Sequence, residues 1–77
     1  MKKQKEMSDA TWMIRKGMAD IKIQSVTVLA KRMGLTRPTM NRKVLAPSSF
    51  SLYEIQALAK LFNWSDEQIG EFIRGLQ

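Results

Sequence analysis

Five times in 77 residues a serine or threonine stands where the following pattern begins a helix: Ser8, Ser25, Thr36, Ser51 and Ser65. A hydroxyl at that position accepts a hydrogen bond from a backbone N–H that a helix start leaves without a partner. In four cases an apolar residue precedes the cap and another follows four residues after it, the spacing of a hydrophobic staple. The pairs are Met7 with Trp12, Leu35 with Met40, Phe50 with Ile55, and Trp64 with Ile69; Ser25 has Gln24 in the staple place. Glu54 and Gln68 complete capping boxes with Ser51 and Ser65. These starts predict five helices, over about 9–21, 26–33, 37–44, 52–62 and 66–76. The fold class is therefore all-α. The one stretch with β-forming character, IKIQSVTVL at 21–29, has the capping Ser25 in its middle.

The apolar spacing gives each helix a face for a core. Ile14, Met18 and Ile21 line the first; Val26, Leu29, Ala30 and Met33 the second. Ile55, Leu58, Ala59 and Phe62 line the fourth; Ile69, Phe72, Ile73 and Leu76 the fifth. The third offers mainly Met40 and Val44. A chain of 77 residues has room for one domain with a marginal core. It has no Cys and no His, so disulfides, zinc-finger ligand sets and His-based catalytic triads are excluded. Helix packing must supply the stability. The six methionines are expected to fill gaps in the core, and Trp12 and Trp64 to pack at staple positions.

The stretch LAKRMGLTRPTM, 29–40, joins the second helix to the third. Gly34 takes a left-handed conformation without steric cost, so the second helix can stop sharply there. Leu35 then folds back onto the core, Thr36 caps the next helix, and Ala30 permits a close crossing. Pro38 is tolerated in a first turn, although it disfavours helical geometry at Arg37. This is helix-turn-helix logic. The third helix is short and poor in apolar residues, and it carries Arg37, Thr39, Asn41, Arg42 and Lys43. These side chains suit contacts to bases or phosphates.

Charge is concentrated in the same region. The chain carries +6 overall. Residues 22–43 hold Lys22, Lys31, Arg32, Arg37, Arg42 and Lys43 with no acidic side chain. The segments before and after are close to neutral, at +2 and −2. A one-sign block of this kind suits a polyanion, with nucleic acid first and a membrane surface second.

Residues 14–44, IRKGMADIKIQSVTVLAKRMGLTRPTMNRKV, resemble the phage repressor/Cro (XRE-like) family of helix-turn-helix DNA-binding domains. The matching positions are Met18-Ala19, Ser25, Leu29-Ala30, Gly34, Leu35-Thr36-Arg37, Thr39-Met40 and Arg42. The helices after residue 50 complete that family's five-helix arrangement. The resemblance implies a compact five-helix, lambda-repressor-like domain with its helix-turn-helix at the second and third helices. Three departures stand out. Val26 occupies a position where many members have a backbone-contacting Gln, Pro38 one where many have a polar base reader, and VLAPSS replaces the usual Glu-x-Gly ending.

What the resemblance implies about contacts can be stated residue by residue. The start and outward face of the third helix would enter the major groove. Arg37 and Arg42 are the candidate base readers, since Arg donates two hydrogen bonds to guanine, a contact worth roughly 1–3 kcal/mol of discrimination. Asn41 would read adenine or bridge to phosphate, Thr39 would meet a thymine methyl or a phosphate, and Pro38 offers apolar contact only. Gln24, Ser25, Thr27 and Thr36 lie at helix starts, where N–H groups and hydroxyls hold phosphates. Lys22, Lys31 and Lys43 are further phosphate candidates, with Ser48 and Ser49 in the loop after the third helix.

The expected function is that of a sequence-specific double-stranded DNA-binding regulator, a Cro- or repressor-like protein of phage or mobile-element type. The expected partner besides operator DNA is a second copy, docked through the fifth helix by Trp64, Phe72 and Leu76. The alternative is a protein-interaction module on the same fold, antitoxin-like or an assembly subunit. Catalysis would fall to Asp, Glu, Lys or Tyr53. The acids are scattered and mostly sit in first turns, where capping and the helix dipole explain them, so the chain is not read as an enzyme. No cofactor, metal or small-molecule ligand is expected. Residues 1–8 read as a flexible basic tail and 9–77 as the domain. The tail lacks the apolar stretch of a signal peptide, no run approaches the roughly 20 apolar residues of a membrane span, and the absence of Cys fits a reducing compartment. The expected location is the cytoplasm.

Overall fold

A computed structural model describes residues 8–76. It contains α1 (Asp9–Asp20), α2 (Val26–Met33), α3 (Arg37–Leu45), α4 (Leu52–Phe62) and α5 (Asp66–Arg74), with a 3-10 turn at Pro47–Ser49 and no strand among the described residues. The expected tail, apart from Ser8, and the staple residue Met7 lie outside the described residues.

All five expected caps are in place. Ser8, Ser25, Thr36, Ser51 and Ser65 each accept a hydrogen bond from the backbone N–H three residues ahead. Both capping boxes are closed, with Ser51 N–H donating to Glu54 Oε1 at 2.8 Å and Ser65 N–H to Gln68 Oε1 at 2.9 Å. Despite Pro38, α3 begins at Arg37, with the proline in its first turn.

Three helices end the same way. Lys22, Gly34 and Asn63 are left-handed, with φ of 61°, 71° and 57°. The next residue's N–H reaches back to the carbonyl five positions earlier: Ile23 to Met18 at 2.8 Å, Leu35 to Ala30 at 2.9 Å, Trp64 to Ala59 at 2.9 Å. This double-bonded ending satisfies two orphan carbonyls and turns an apolar residue inward. Two expectations change as a result. The first helix ends at Asp20, and Ile21 is exposed while Ile23 is buried, because the turn at Lys22 redirects the chain. Asn63, the second-choice residue for a left-handed position, does for α4 what Gly34 does for α2.

The core draws on every helix: Ala10, Ile14 and Met18 of α1, Leu29 and Ala30 of α2, Met40 and Val44 of α3, Ile55, Leu58 and Phe62 of α4, and Phe72 of α5. Ile23 and Phe50 join it from the connections. Each large apolar side chain so buried contributes about 1.5–3 kcal/mol. Phe72 is fully buried, with its ring centroid 5.1 Å from that of Trp64 and 6.4 Å from that of Phe50. It therefore cannot serve as the expected dimer contact: its surface is spent inside its own chain. Trp64 and Leu76 also pack against this core, and the exposed apolar side chain of α5 is Ile73. Trp12, placed at a staple position, is about half exposed.

Candidate nucleic-acid interface

The α2–turn–α3 unit is built from the Gly34 ending and the Thr36 cap. With Leu35 drawn toward the core, α3 is pinned by Met40 and Val44, both essentially inaccessible. The opposite side of α3 is thereby fixed outward. Pro38, Asn41, Arg42 and Leu45, at i, i+3, i+4 and i+7, form one exposed stripe, with Arg37 exposed beside it at the helix start. Four of the five candidate base readers are thus exposed. The fifth, Thr39, is half-buried.

Thr39 is held by a reciprocal pair of bonds. Its N–H donates to Thr36 Oγ1 at 3.4 Å, and the Thr36 hydroxyl donates to Thr39 Oγ1 at 2.9 Å.

The sequence reading missed Leu45, 63% exposed at the end of the stripe, because it stopped α3 one residue early. Continuing the i, i+3, i+4 spacing one step would have found it. It also missed Thr11, which is buried and anchors this region. Thr11 Oγ1 donates to the Val44 carbonyl at 2.7 Å and accepts from the Ser8 hydroxyl at 3.0 Å. The start of α1 thereby satisfies a carbonyl near the end of α3.

The phosphate candidates divide. Lys22, Gln24, Ser25, Thr27, Lys31, Thr36 and Ser48 are exposed. Arg37, Arg42, Lys22 and Lys31 form no ion pair among the described residues. Ser49, also exposed, donates both its N–H and its hydroxyl to the Ala46 carbonyl, at 2.9 and 2.7 Å. Lys43 is engaged within the protein. Its Nζ lies 3.1 Å from Glu54 Oε1, donates to the Ser49 carbonyl at 2.9 Å, and sits 5.8 Å from the Phe50 ring centroid. The Ser51 N–H first, and then the Lys43 ammonium, hold the Glu54 carboxyl below its ordinary range, against the opposing pull of partial burial.

Across 22–43 the block holds six cations and no acid, so the face built by α2 and α3 is of one sign. An exposed helix stripe carrying Arg and Asn, flanked by the exposed Lys22 and Lys31, has the donors that a duplex groove and its phosphates accept. No helix among the described residues is long and apolar enough to cross a membrane. Searches of curated proteins and of solved structures gave no match. A family model, that of the Cro/C1-type helix-turn-helix DNA-binding domain, matches residues 13–74, and the chain belongs to that family.

Proposed function

We propose that this chain is a sequence-specific regulator that binds double-stranded operator DNA, of the repressor type found in phages and mobile elements, and reads the major groove with α3. The observation that carries this reading is the outward stripe of α3. Arg42 and Asn41 stand on it exposed, while Met40 and Val44 fix its back. Arg37 and Arg42 are the base readers, with Asn41, Thr39 and Pro38 beside them. Lys22, Gln24, Ser25, Thr27, Lys31, Thr36 and Ser48 hold phosphates. A homodimer on two half-sites about one helical turn apart fits the way such helices are presented to a duplex.

Selection from a random duplex library near physiological salt tests this. A dyad motif with half-sites about one turn apart supports a dimeric operator-binding protein. Weak binding without a motif, lost as salt rises, overturns it.

One observation favours a second reading, a protein-interaction module. Leu52 and Tyr53 at the start of α4 are 67% and 84% exposed and, with Gln56, line a shallow depression. Apolar surface of that kind suits a protein partner. Under that reading, Tyr53→Ala abolishes partner binding and no duplex motif emerges.

A further inference from the structure

We infer that Glu54, on α4, is a positioning residue for the DNA-reading helix, and that by holding Lys43 it removes that lysine from the phosphate contacts. The inference rests on the proposal that α3 lies in the groove.

One oxygen does two jobs. Glu54 Oε1 accepts the Ser51 N–H at 2.8 Å, closing the start of α4, and faces Lys43 Nζ at 3.1 Å, near the end of α3. Lys43 also donates to the Ser49 carbonyl at 2.9 Å. The last turn of α3, the connection after it and the first turn of α4 are thus tied through a single ammonium. Its three donors have two acceptors here, and its remaining approach is over the Phe50 ring.

The setting separates this pair from an ordinary surface contact. The side chains of Lys43 and Glu54 are 19% and 23% exposed. Those of Lys16–Asp20, the other ion pair among the described residues, are 57% and 64% exposed, one turn apart on a single helix. Solvent screens the Lys16–Asp20 pair far more. Reaching a phosphate would cost Lys43 both its acceptors. Its sequence position suggests a phosphate contact, and its geometry makes it a strut. The angle of α3 is then set at both ends, by the Gly34 turn at its start and by Lys43–Glu54 at its finish.

The test compares the wild type with Lys43→Met and Glu54→Gln. The glutamine amide oxygen can still accept the Ser51 N–H, so the capping box survives while the charge is lost. Amide exchange in the free protein reads the strut without DNA. In both variants the hydrogen-bonded amides of Ala46, Ser49, Phe50 and Ser51 should exchange roughly three- to tenfold faster, with α1 and α5 unchanged. The salt dependence of binding to a 20-base-pair duplex reads the phosphate role. For Lys43→Met the slope should stay as in the wild type, where loss of a phosphate contact lowers it by about one. Unchanged exchange at those four amides, or a slope lowered by about one, overturns the inference. The exchange readout needs no DNA and the salt slope can be read on a non-specific duplex, so they decide this point even if the wild type shows no sequence preference, an outcome that sinks the operator reading alone.

Discussion

Gly17 of α1 and Phe62 of α4 are in direct contact: a Cβ at position 17 would lie 2.7 Å from Phe62 Cγ and under 3.0 Å from both neighbouring ring carbons. Those atoms are the root of the ring, next to its backbone, and cannot swing aside. The close approach of the two helices depends on the missing methyl. Gly17→Ala should destabilise the domain by about 1–3 kcal/mol, because overpacking outweighs the roughly 1 kcal/mol of helix propensity gained. Gly70→Ala is the control. Its Cβ would meet only the mobile end of Arg74, at 3.4 Å, so that variant should gain up to about 1 kcal/mol. Thermal unfolding of both decides it; a more stable Gly17→Ala sinks the packing argument.

Two of the three left-handed helix ends, Gly34 and Lys22, make a graded prediction. Gly34 has open space around the absent Cβ, so Gly34→Ala costs conformational strain alone, about 1–2 kcal/mol. Lys22 already bears such strain at φ 61°. Lys22→Gly should therefore stabilise the fold by about 0.5–1 kcal/mol, a smaller gain because glycine also frees the unfolded chain. If Lys22 holds a phosphate, the same variant lowers the salt slope of DNA binding by about one while its midpoint of unfolding rises. Opposite movement of stability and DNA affinity in one variant is the expected signature.

These ends also show what the sequence could and could not reveal. Caps are local: a hydroxyl, a box partner and a staple lie within six residues, and all five starts stood at their expected places. Gly34 was legible because glycine advertises a left-handed turn. Lys22 was not, since nothing in a lysine signals positive φ, and the position of Ile21 and Ile23 relative to the core depended on it. The outward stripe of α3 followed from helical period once Met40 and Val44 were assigned inward. The engagement of Lys43 did not, because Glu54 lies 11 residues away and meets it only after two helices pack. Phe72 looked available for the same reason: burial by other helices leaves no local mark.

Thr11→Val tests the tie between α1 and the end of α3. Valine keeps the shape and removes the hydroxyl that donates to the Val44 carbonyl at 2.7 Å. A buried carbonyl loses its donor and the Ser8 hydroxyl loses its acceptor, at a cost of about 1–3 kcal/mol. Denaturant unfolding should show a lower midpoint with an unchanged slope. A variant as stable as the wild type would mean that water replaces the bond and that α1 does not anchor α3.

Arg42 and Lys31 separate reading from holding. Arg42 stands on the stripe opposite Met40 and Val44, exposed and free of ion pairs among the described residues. Arg42→Ala should cost about 1–3 kcal/mol on the selected duplex and relax the preference at one position in each half-site. Lys31, exposed in the last turn of α2, has no stripe position from which to reach a base edge. Lys31→Ala should weaken selected and random duplexes alike and lower the salt slope by about one. Neither change should move the unfolding midpoint, since both side chains lie outside the core. Repeating the library selection with each variant, alongside salt titrations, distinguishes the two roles. If Arg42→Ala weakens every duplex equally and leaves the motif intact, Arg42 is a phosphate contact, and base reading must then fall to Arg37, Asn41 and the apolar groups of Pro38 and Leu45.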